Sequence, residues 1–263
     1  MIFETHAHYD DASFDNDRDL LMQNLLSDKI SAILNVGASI ESTKRTIALA
    51  EKYDAVYAAV GVHPGEIGDW KEESIHWLRE QARHPKVVAI GEIGLDYHWE
   101  KDPVAQQKQR QCFAQQMELA KERRLPVIIH SRDAAEDTMQ IMKSVHADEI
   151  PGVVHCYSYS PELAAEFLKM GYYIGAGGVV TFKNAKKLKE VVRQVPLEKI
   201  LLETDAPYMA PEPFRGKRND SSLLVYVAEA IAELRGISKE EVERVTMENA
   251  CRLFLPQTVK EVS

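Results

Sequence analysis

Short runs of aliphatic and β-branched residues recur along the whole chain, bounded by polar residues, glycine or proline. Runs of this length and composition are typical of strands that are buried on both faces. They predict eight strands, over residues 2–6, 31–37, 55–61, 87–92, 126–130, 152–156, 172–176 and 199–205.

Most of these runs are separated by stretches in which apolar residues recur every three or four positions, the spacing of an amphipathic helix. Residues 17–29, for example, carry Leu20, Leu21 and Leu25 at this spacing. The predicted helices span residues 17–29, 39–53, 104–124, 134–145, 161–170, 184–192, 221–235 and 238–253. No helix is predicted between the third and fourth strands.

Repeated alternation of strand and helix over 263 residues predicts an α/β fold, a (β/α)8 TIM barrel, which is typically about 250 residues long. A doubly wound open sheet is the alternative, but no G-x-G-x-x-G sequence follows the first strand. Because no linker and no internal repeat stands out, we expect a single barrel domain over residues 1–263.

Charge and cysteine content narrow the functional classes. The net charge of −9 argues against a protein that coats DNA or an anionic membrane, although an enzyme that grips a few phosphates remains compatible with it. The three cysteines form no C-x-x-C motif, and no apolar run approaches the roughly 18 residues of a membrane span. Together with the lack of a secretory signal, these features predict a cytoplasmic protein.

Imidazoles and carboxylates collect at the predicted carboxyl ends of the strands, where TIM barrels place their active sites. His6 and His8 stand two residues apart, so both can point to the same face of the first strand. The other residues at strand ends are His63, Glu92, His130, His155, Glu203 and Asp205. A single histidine in such a place is more often structural, but five histidines at one barrel mouth favour a metal site.

Nitrogen and carboxylate ligands without cysteine suit Zn, Mn, Co or Ni, and Mg is a further candidate. Six ligands are too many for one tetrahedral ion, so we expect two divalent cations. His6, His8 and Asp205 are expected to bind one cation, His130 and His155 the other, with Glu92 as the bridge.

Seven sequence blocks occur in an order that resembles the TatD family of metal-dependent deoxyribonucleases: E-T-H-A-H, G-V-H-P, G-E-I-G-L-D-Y, H-S-R-D-A, H-C-Y-S, E-T-D-A-P-Y and R-G-K-R-N. The resemblance spans nearly the whole chain and implies a barrel hydrolase of the amidohydrolase type. It implies the same six metal ligands and places His63 near the substrate phosphate. The chain departs from the family at Glu4, where aspartate is common, and at R-G-K-R-N-D-S, where R-G-K-R-N-E-P is common.

These residues suggest roles in catalysis. Asp205 is expected to accept a proton from a water activated by the cations that Glu92 bridges, and His63 to neutralise charge on the phosphate. Phosphate recognition is expected from Arg132, Arg215, Lys217 and Arg218. Arg132 could instead pair with Asp133 or Glu136, and the cluster over residues 215–218 could be an ordinary solvent-facing loop.

The leading hypothesis is hydrolysis of phosphodiester bonds at single-stranded DNA ends, by an exonuclease without an obligate protein partner or a membrane. The alternative is hydrolysis of an amide or ester, such as an aminoacyl ester on RNA, because the same barrel and metals serve both reactions. A binding module without enzymatic activity is a third hypothesis, but the presence of all six expected ligands counts against it.

Overall fold

The computed structural model describes residues 1–256 and contains a sheet of eight strands in sequence order, each parallel to the next. Strands β1–β8 span Ile2–Ala7, Ile30–Val36, Val56–Val60, Val87–Asp96, Val127–Arg132, Gly152–Val154, Tyr173–Ala176 and Ile200–Leu202. Each predicted strand is present, although β4 runs four residues further than expected.

The sheet closes on itself between β1 and the segment after β8. Ala7 bridges to Ala206, the N–H of His8 donates to the carbonyl of Ala206 at 2.7 Å, and the N–H of Asp205 donates to the carbonyl of His6 at 2.9 Å. The predicted TIM barrel is therefore confirmed, and its closure brings the two ends of the strand order side by side. The prediction of a single domain over 1–263 stays a prediction, because residues 257–263 lie outside the described residues.

Helices α1–α9 of the described residues span Arg18–Ser27, Ile40–Lys52, Glu72–Gln81, Pro103–Arg123, Ala135–Ser144, Pro161–Lys169, Lys186–Gln194, Leu224–Arg235 and Lys239–Phe254. The ends differ from the predicted ones by up to three residues, which is ordinary for helix boundaries. Helix α3, between β3 and β4, was not predicted. Ile75 and Leu78 are its buried apolar residues, and its other positions are mostly charged or polar, so its apolar stripe is short.

Every strand contributes to a cluster of buried side chains that fills the barrel interior. The strand members are Phe3, Ala32, Leu34, Val36, Ala59, Ala89, Ile128, Val153, Tyr173 and Leu201, and Ala250, Leu253 and Phe254 of α9 pack against them. Side chains two residues apart on a strand share a face. The interior positions of Ile128, Val153 and Leu201 therefore direct His130, His155 and Glu203 toward the barrel mouth.

Candidate active site

An open cavity of about 680 Å³ lies at the carboxyl ends of the strands. Asp205 follows β8 and His63 follows β3, whereas Glu92 and His130 lie within β4 and β5. Of the predicted metal ligands and catalytic residues, those that line the cavity are His8, His63, Glu92, His130, His155 and Asp205. His6 is fully buried beneath them.

A first group of ligand atoms comes from His6, His8, Glu92 and Asp205. Nε2 of His6 lies 3.1 Å from Nε2 of His8. Oε2 of Glu92 lies 3.5 and 3.7 Å from these two nitrogens, and Oδ1 of Asp205 lies 3.8 and 3.5 Å from them. Ligands bound to zinc at about 2.0–2.1 Å stand about 3.4 Å apart in a tetrahedron, so these four atoms have the spacing to surround one cation.

A second group gathers around the other oxygen of the same carboxylate. Oε1 of Glu92 lies 2.6 Å from Nε2 of His155 and 2.8 Å from Nδ1 of His130, and these nitrogens are 3.3 Å apart. Nε2 of His63 lies 3.8 Å from the same oxygen. Glu92 therefore faces both groups, one oxygen to each, and both groups could hold a metal ion.

The protonation states of Glu92, His6 and His63 fit cation binding. Burial opposes ionisation of Glu92, but His155 and His63 hold its pKa well below its usual range. Burial lowers the pKa of His6 to about 4 and that of His63 to about 4, so both rings are neutral at pH 7. Neutral imidazoles and ionised carboxylates are the forms that bind divalent metals.

The acids also raise the affinity of other imidazoles for protons. Burial lowers the pKa of His8 and His130, yet hydrogen bonds to carboxylates outweigh burial and raise each pKa to about 9. The partners are Asp205 for His8, and Asp96 and Glu92 for His130. The carboxylates thus draw positive charge into the cavity, and divalent cations held there would supply that charge without protonation of the imidazoles.

Two hydrogen bonds orient His8 and His130, two of the candidate ligands, from outside the two groups. Nδ1 of His8 lies 2.8 Å from the carbonyl of Val36, which fixes its N–H there and leaves Nε2 free to bind a metal. Nε2 of His130 lies 3.1 Å from Oδ2 of Asp96. Sequence reasoning missed Asp96, although the block G-E-I-G-L-D-Y contains it. Asp96 stands four residues after Glu92, with Gly94 midway between them. Strand alternation was the signal for it.

Two buried glutamates lie close to the histidines. Glu203, interpreted from the sequence as a support for a ligand, accepts the N–H of Cys156 and lies 3.9 Å from Nδ1 of His155. Glu4 accepts hydrogen bonds from the N–H of His6 and of Thr204 and from the hydroxyl of Ser221. Its longer side chain thus ties β1 to the segment after β8, beneath the first group.

The predicted phosphate-binding residues separate in the structure. His63 and Arg132 line the cavity, and Arg132 stacks over the ring of Trp99 at 5.6 Å instead of pairing with Asp133 or Glu136 within the described chain. Arg218 is held outside the cavity by two contacts to Asp17, at 2.8 and 2.6 Å. Arg215 and Lys217 are exposed and do not line the cavity either.

Other residues also line the cavity, and sequence reasoning gave no role to Arg45 or Met209 among them. Arg45 of α2 lines it on the side away from Arg132, with its guanidinium 3.6 Å from Asp10. Tyr208 and Met209 line its rim and are 54% and 41% exposed. Arg45 carried no signal, because it lies in the middle of a predicted amphipathic helix, where an exposed arginine is ordinary.

Comparison with known proteins decides the family. A family model described as TatD related DNase matches residues 3–255. The chain belongs to the TatD family. It is 47% identical to the uncharacterized metal-dependent hydrolase YabD of Bacillus subtilis, over 97% of this chain and 99% of that protein. It is 33% identical to a 3'-5' ssDNA/RNA exonuclease, TatD of Cronobacter sakazakii, over 97% of this chain and 98% of that one.

Solved structures agree with the family assignment. The crystal structure of YJJV, a TatD homolog from Escherichia coli K12, superimposes with a TM-score of 0.89 at 34% identity, over 96% of this chain and 97% of that chain. This TatD-family chain is accordingly a metal-dependent hydrolase. None of its helices within residues 1–256 is both long and apolar enough to cross a membrane.

Proposed function

We propose that this protein hydrolyses phosphodiester bonds at the ends of single-stranded DNA with two divalent cations. The observation that carries the proposal is the sharing of Glu92 between two adjacent groups of ligand atoms in an open cavity. Paired metal sites are the usual arrangement for displacement at phosphorus. The exonuclease name of the Cronobacter relative supports the choice of nucleic acid as substrate.

The proposed ligands are His6, His8, Glu92 and Asp205 for one cation and Glu92, His130 and His155 for the other. The cations, drawn from Zn, Mn, Mg, Co and Ni, would lower the pKa of water and neutralise charge on the phosphate. Asp205 lines the cavity. Burial opposes ionisation of its carboxylate, but His8 and His155 outweigh burial and keep the pKa of Asp205 below its usual value, so the carboxylate is ionised. Asp205 can therefore take the proton that the attacking water loses and return it to the leaving oxygen.

The cavity walls supply the remaining roles. Neutral His63 lies against the second group and can donate a hydrogen bond to a phosphate oxygen. Arg132 lines the cavity near β5, and its guanidinium can bind phosphate in a fork. Asp205, His63 and Glu92 are thus the proposed catalytic residues. The reaction as proposed needs no protein partner, and a cytoplasmic location stays a prediction from the sequence.

A metal-reconstitution assay tests the proposal. The protein, stripped of cations, is supplied with Mg, Mn or Zn and incubated with end-labelled single-stranded DNA and, separately, with an aminoacyl ester of RNA. We expect shortening of the DNA with at least one cation, and a loss of about 100-fold or more in Glu92→Ala and Asp205→Asn. Circular dichroism checks that both variants are folded, and Glu66→Ala, which also lines the cavity but joins neither group, is the matched control.

Two outcomes would contradict the proposal. Cleavage of the aminoacyl ester without any phosphodiester cleavage would replace the nuclease by the alternative hydrolase. Unchanged DNA cleavage in both Glu92→Ala and Asp205→Asn would reject the assignment of the site.

A further inference from the structure

Positive charge gathers on one side of the cavity, although the chain as a whole carries a net charge of −9. The segment over residues 182–193, which leads into and forms most of α7, contains five lysines or arginines and one acid, Glu190. Arg215 and Lys217 stand in the loop after β8. Because α7 begins at Lys186, its first turn lies at the end of the barrel that holds the cavity.

The loops after β7 and β8 pack against each other, so the basic side chains of the 182–193 segment lie near Arg215 and Lys217. The guanidinium of Arg215 lies 4.4 Å from the ring centre of Phe182, and the N–H of Glu212 donates to Oγ1 of Thr181 at 2.8 Å. Val179 and Met209, one from each loop, both line the cavity. In each loop, the basic side chains therefore follow a residue that lines the cavity.

Five of these seven basic side chains are exposed and border no second cavity in the described part of the chain. They are defined here as the basic rim: Lys183, Lys186, Lys187, Arg215 and Lys217. All five are exposed, and none forms an ion pair with another residue of the range 1–256, whereas Lys44, Lys52 and Lys121 elsewhere on the surface do. Lys189 and Arg193 are excluded from the rim because they border a separate cavity together with Glu229 and Glu233.

The side of the cavity formed by the segments after β1, β2 and β3 carries the other sign of charge. The acids that line the cavity there are Asp10, Asp11 and Glu66, and Arg45 is the basic residue beside them in the described structure. A polyanion that enters the cavity is therefore attracted toward the basic rim and repelled from the β1–β3 side. Tyr208 and Met209 line the cavity from the loop after β8 that also carries Arg215 and Lys217, and their exposed side chains offer an aromatic and an apolar surface for unstacked bases.

We propose that the basic rim binds the backbone of a single nucleic-acid strand whose end lies in the cavity. The inference rests on the proposed function for its choice of ligand, and it adds the path of the strand outside the site. Unpaired cations beside an exposed aromatic residue are the features with which proteins track single strands. The rim would make the protein prefer a polymer over a small phosphodiester.

The double variant Lys183→Gln/Lys187→Gln removes two rim cations without touching a residue that lines the cavity. Lys29→Gln/Lys143→Gln is the matched control, since both lysines are exposed, lack ion pairs within residues 1–256 and lie toward the opposite end of the barrel. Fluorescence anisotropy measures binding of a fluorescein-labelled oligothymidylate in a chelator, where no hydrolysis interferes. In parallel, the wild type is tested for metal-dependent hydrolysis of bis(p-nitrophenyl) phosphate.

We expect the rim variant to bind the oligothymidylate several-fold more weakly than the wild type. Its plot of log affinity against log salt concentration should be flatter by about 1.4, because each phosphate contact on a single strand contributes about 0.7. The control variant should match the wild type in affinity and slope.

The two proposals fail in different ways in this experiment. Equal affinities and slopes in the rim and control variants would overturn the inference, even if the wild type cleaves phosphodiesters. Failure of the wild type to hydrolyse both bis(p-nitrophenyl) phosphate and single-stranded DNA would overturn the proposed function instead, and the binding measurement would still decide the role of the rim.

Discussion

The carboxylate of Asp96 lies 3.1 Å from Nε2 of His130, while the other ring nitrogen of His130, Nδ1, lies 2.8 Å from Glu92. The histidine is therefore held between two acids. Backbone N–H groups of His98 and Trp99 donate to the second oxygen of Asp96 and fix its orientation. Burial opposes ionisation of Asp96, but the hydrogen bond from His130 and those from the backbone lower its pKa to about 2. Asp96 thus keeps the proton of His130 on Nε2 and leaves Nδ1 for a metal.

Replacement of Asp96 by asparagine should weaken metal binding at the second group. The neutral amide of this variant would no longer select the tautomer of His130. Removal of the carboxylate that hydrogen-bonds a metal-binding histidine typically reduces metal affinity about 10–100-fold. Isothermal titration calorimetry with Mn or Zn measures the affinity. Asp133→Asn, at an exposed aspartate that pairs with His98, is the control and should behave as the wild type. An Asp96→Asn variant with wild-type affinity would contradict this role.

The barrel was predictable from sequence because continuous apolar runs mark the strands and apolar periodicity marks most helices. Helix α3 lacks such a periodic pattern. Its buried face rests on Ile75 and Leu78, too few residues to reveal a period. The candidate ligand set was predicted from strand ends, where side chains two residues apart share a face. Arg218 shows the limit of this reasoning, since only the packed structure reveals that Asp17, 201 residues away in sequence, holds it outside the cavity.

Addition of a single methyl group at Gly175 should disturb the floor of the site. A Cβ there would lie 2.4 Å from Oε2 of Glu203, and this carboxylate is buried and accepts the N–H of Cys156. Such overpacking typically costs about 1–3 kcal/mol of unfolding free energy. Urea unfolding of Gly175→Ala measures the loss.

The matched control is Gly68→Ala, because a Cβ at Gly68 has no atom within 4 Å among the described residues. Its unfolding free energy should differ from that of the wild type by less than about 1 kcal/mol. Equal stability of the two variants would show that Glu203 can shift at little cost and that its position is not constrained by β7.

Divalent cations should stabilise the protein against heat, and the effect should depend on Glu92. A ligand that binds only the folded state adds about 2.7 kcal/mol at 100 times its dissociation constant. Differential scanning fluorimetry with added Mn or Zn should therefore show a rise in Tm that a chelator reverses. In Glu92→Gln the rise should be largely lost, because one carboxylate serves both groups of ligand atoms.

Glu66→Gln provides the comparison for this experiment. Glu66 lines the same cavity but contributes to neither group of ligand atoms, so its variant should keep the full rise in Tm. A cation-dependent rise of equal size in Glu92→Gln would mean that the stabilising ions bind elsewhere on the protein.

Trp99 should contribute to substrate binding through Arg132. The indole is 77% exposed, and the guanidinium of Arg132, which lines the cavity, lies 5.6 Å from its ring centre. A cation–π contact at an exposed site contributes about 0.5–1 kcal/mol, so Trp99→Ala should raise the KM for single-stranded DNA about 2–5-fold. The kcat should stay close to the wild-type value, because the indole packs against His98 and Arg132, which belong to neither group of ligand atoms.

Steady-state kinetics of two further variants separate the contact with Arg132 from a general effect of truncating an exposed side chain. Trp99→Phe should restore part of the affinity, because the phenyl ring still offers a face to the guanidinium. Val104→Ala, at an apolar residue of equal exposure that does not line the cavity, should leave KM unchanged. A Trp99→Ala variant that lowers kcat at constant KM would instead place the indole in the chemical step.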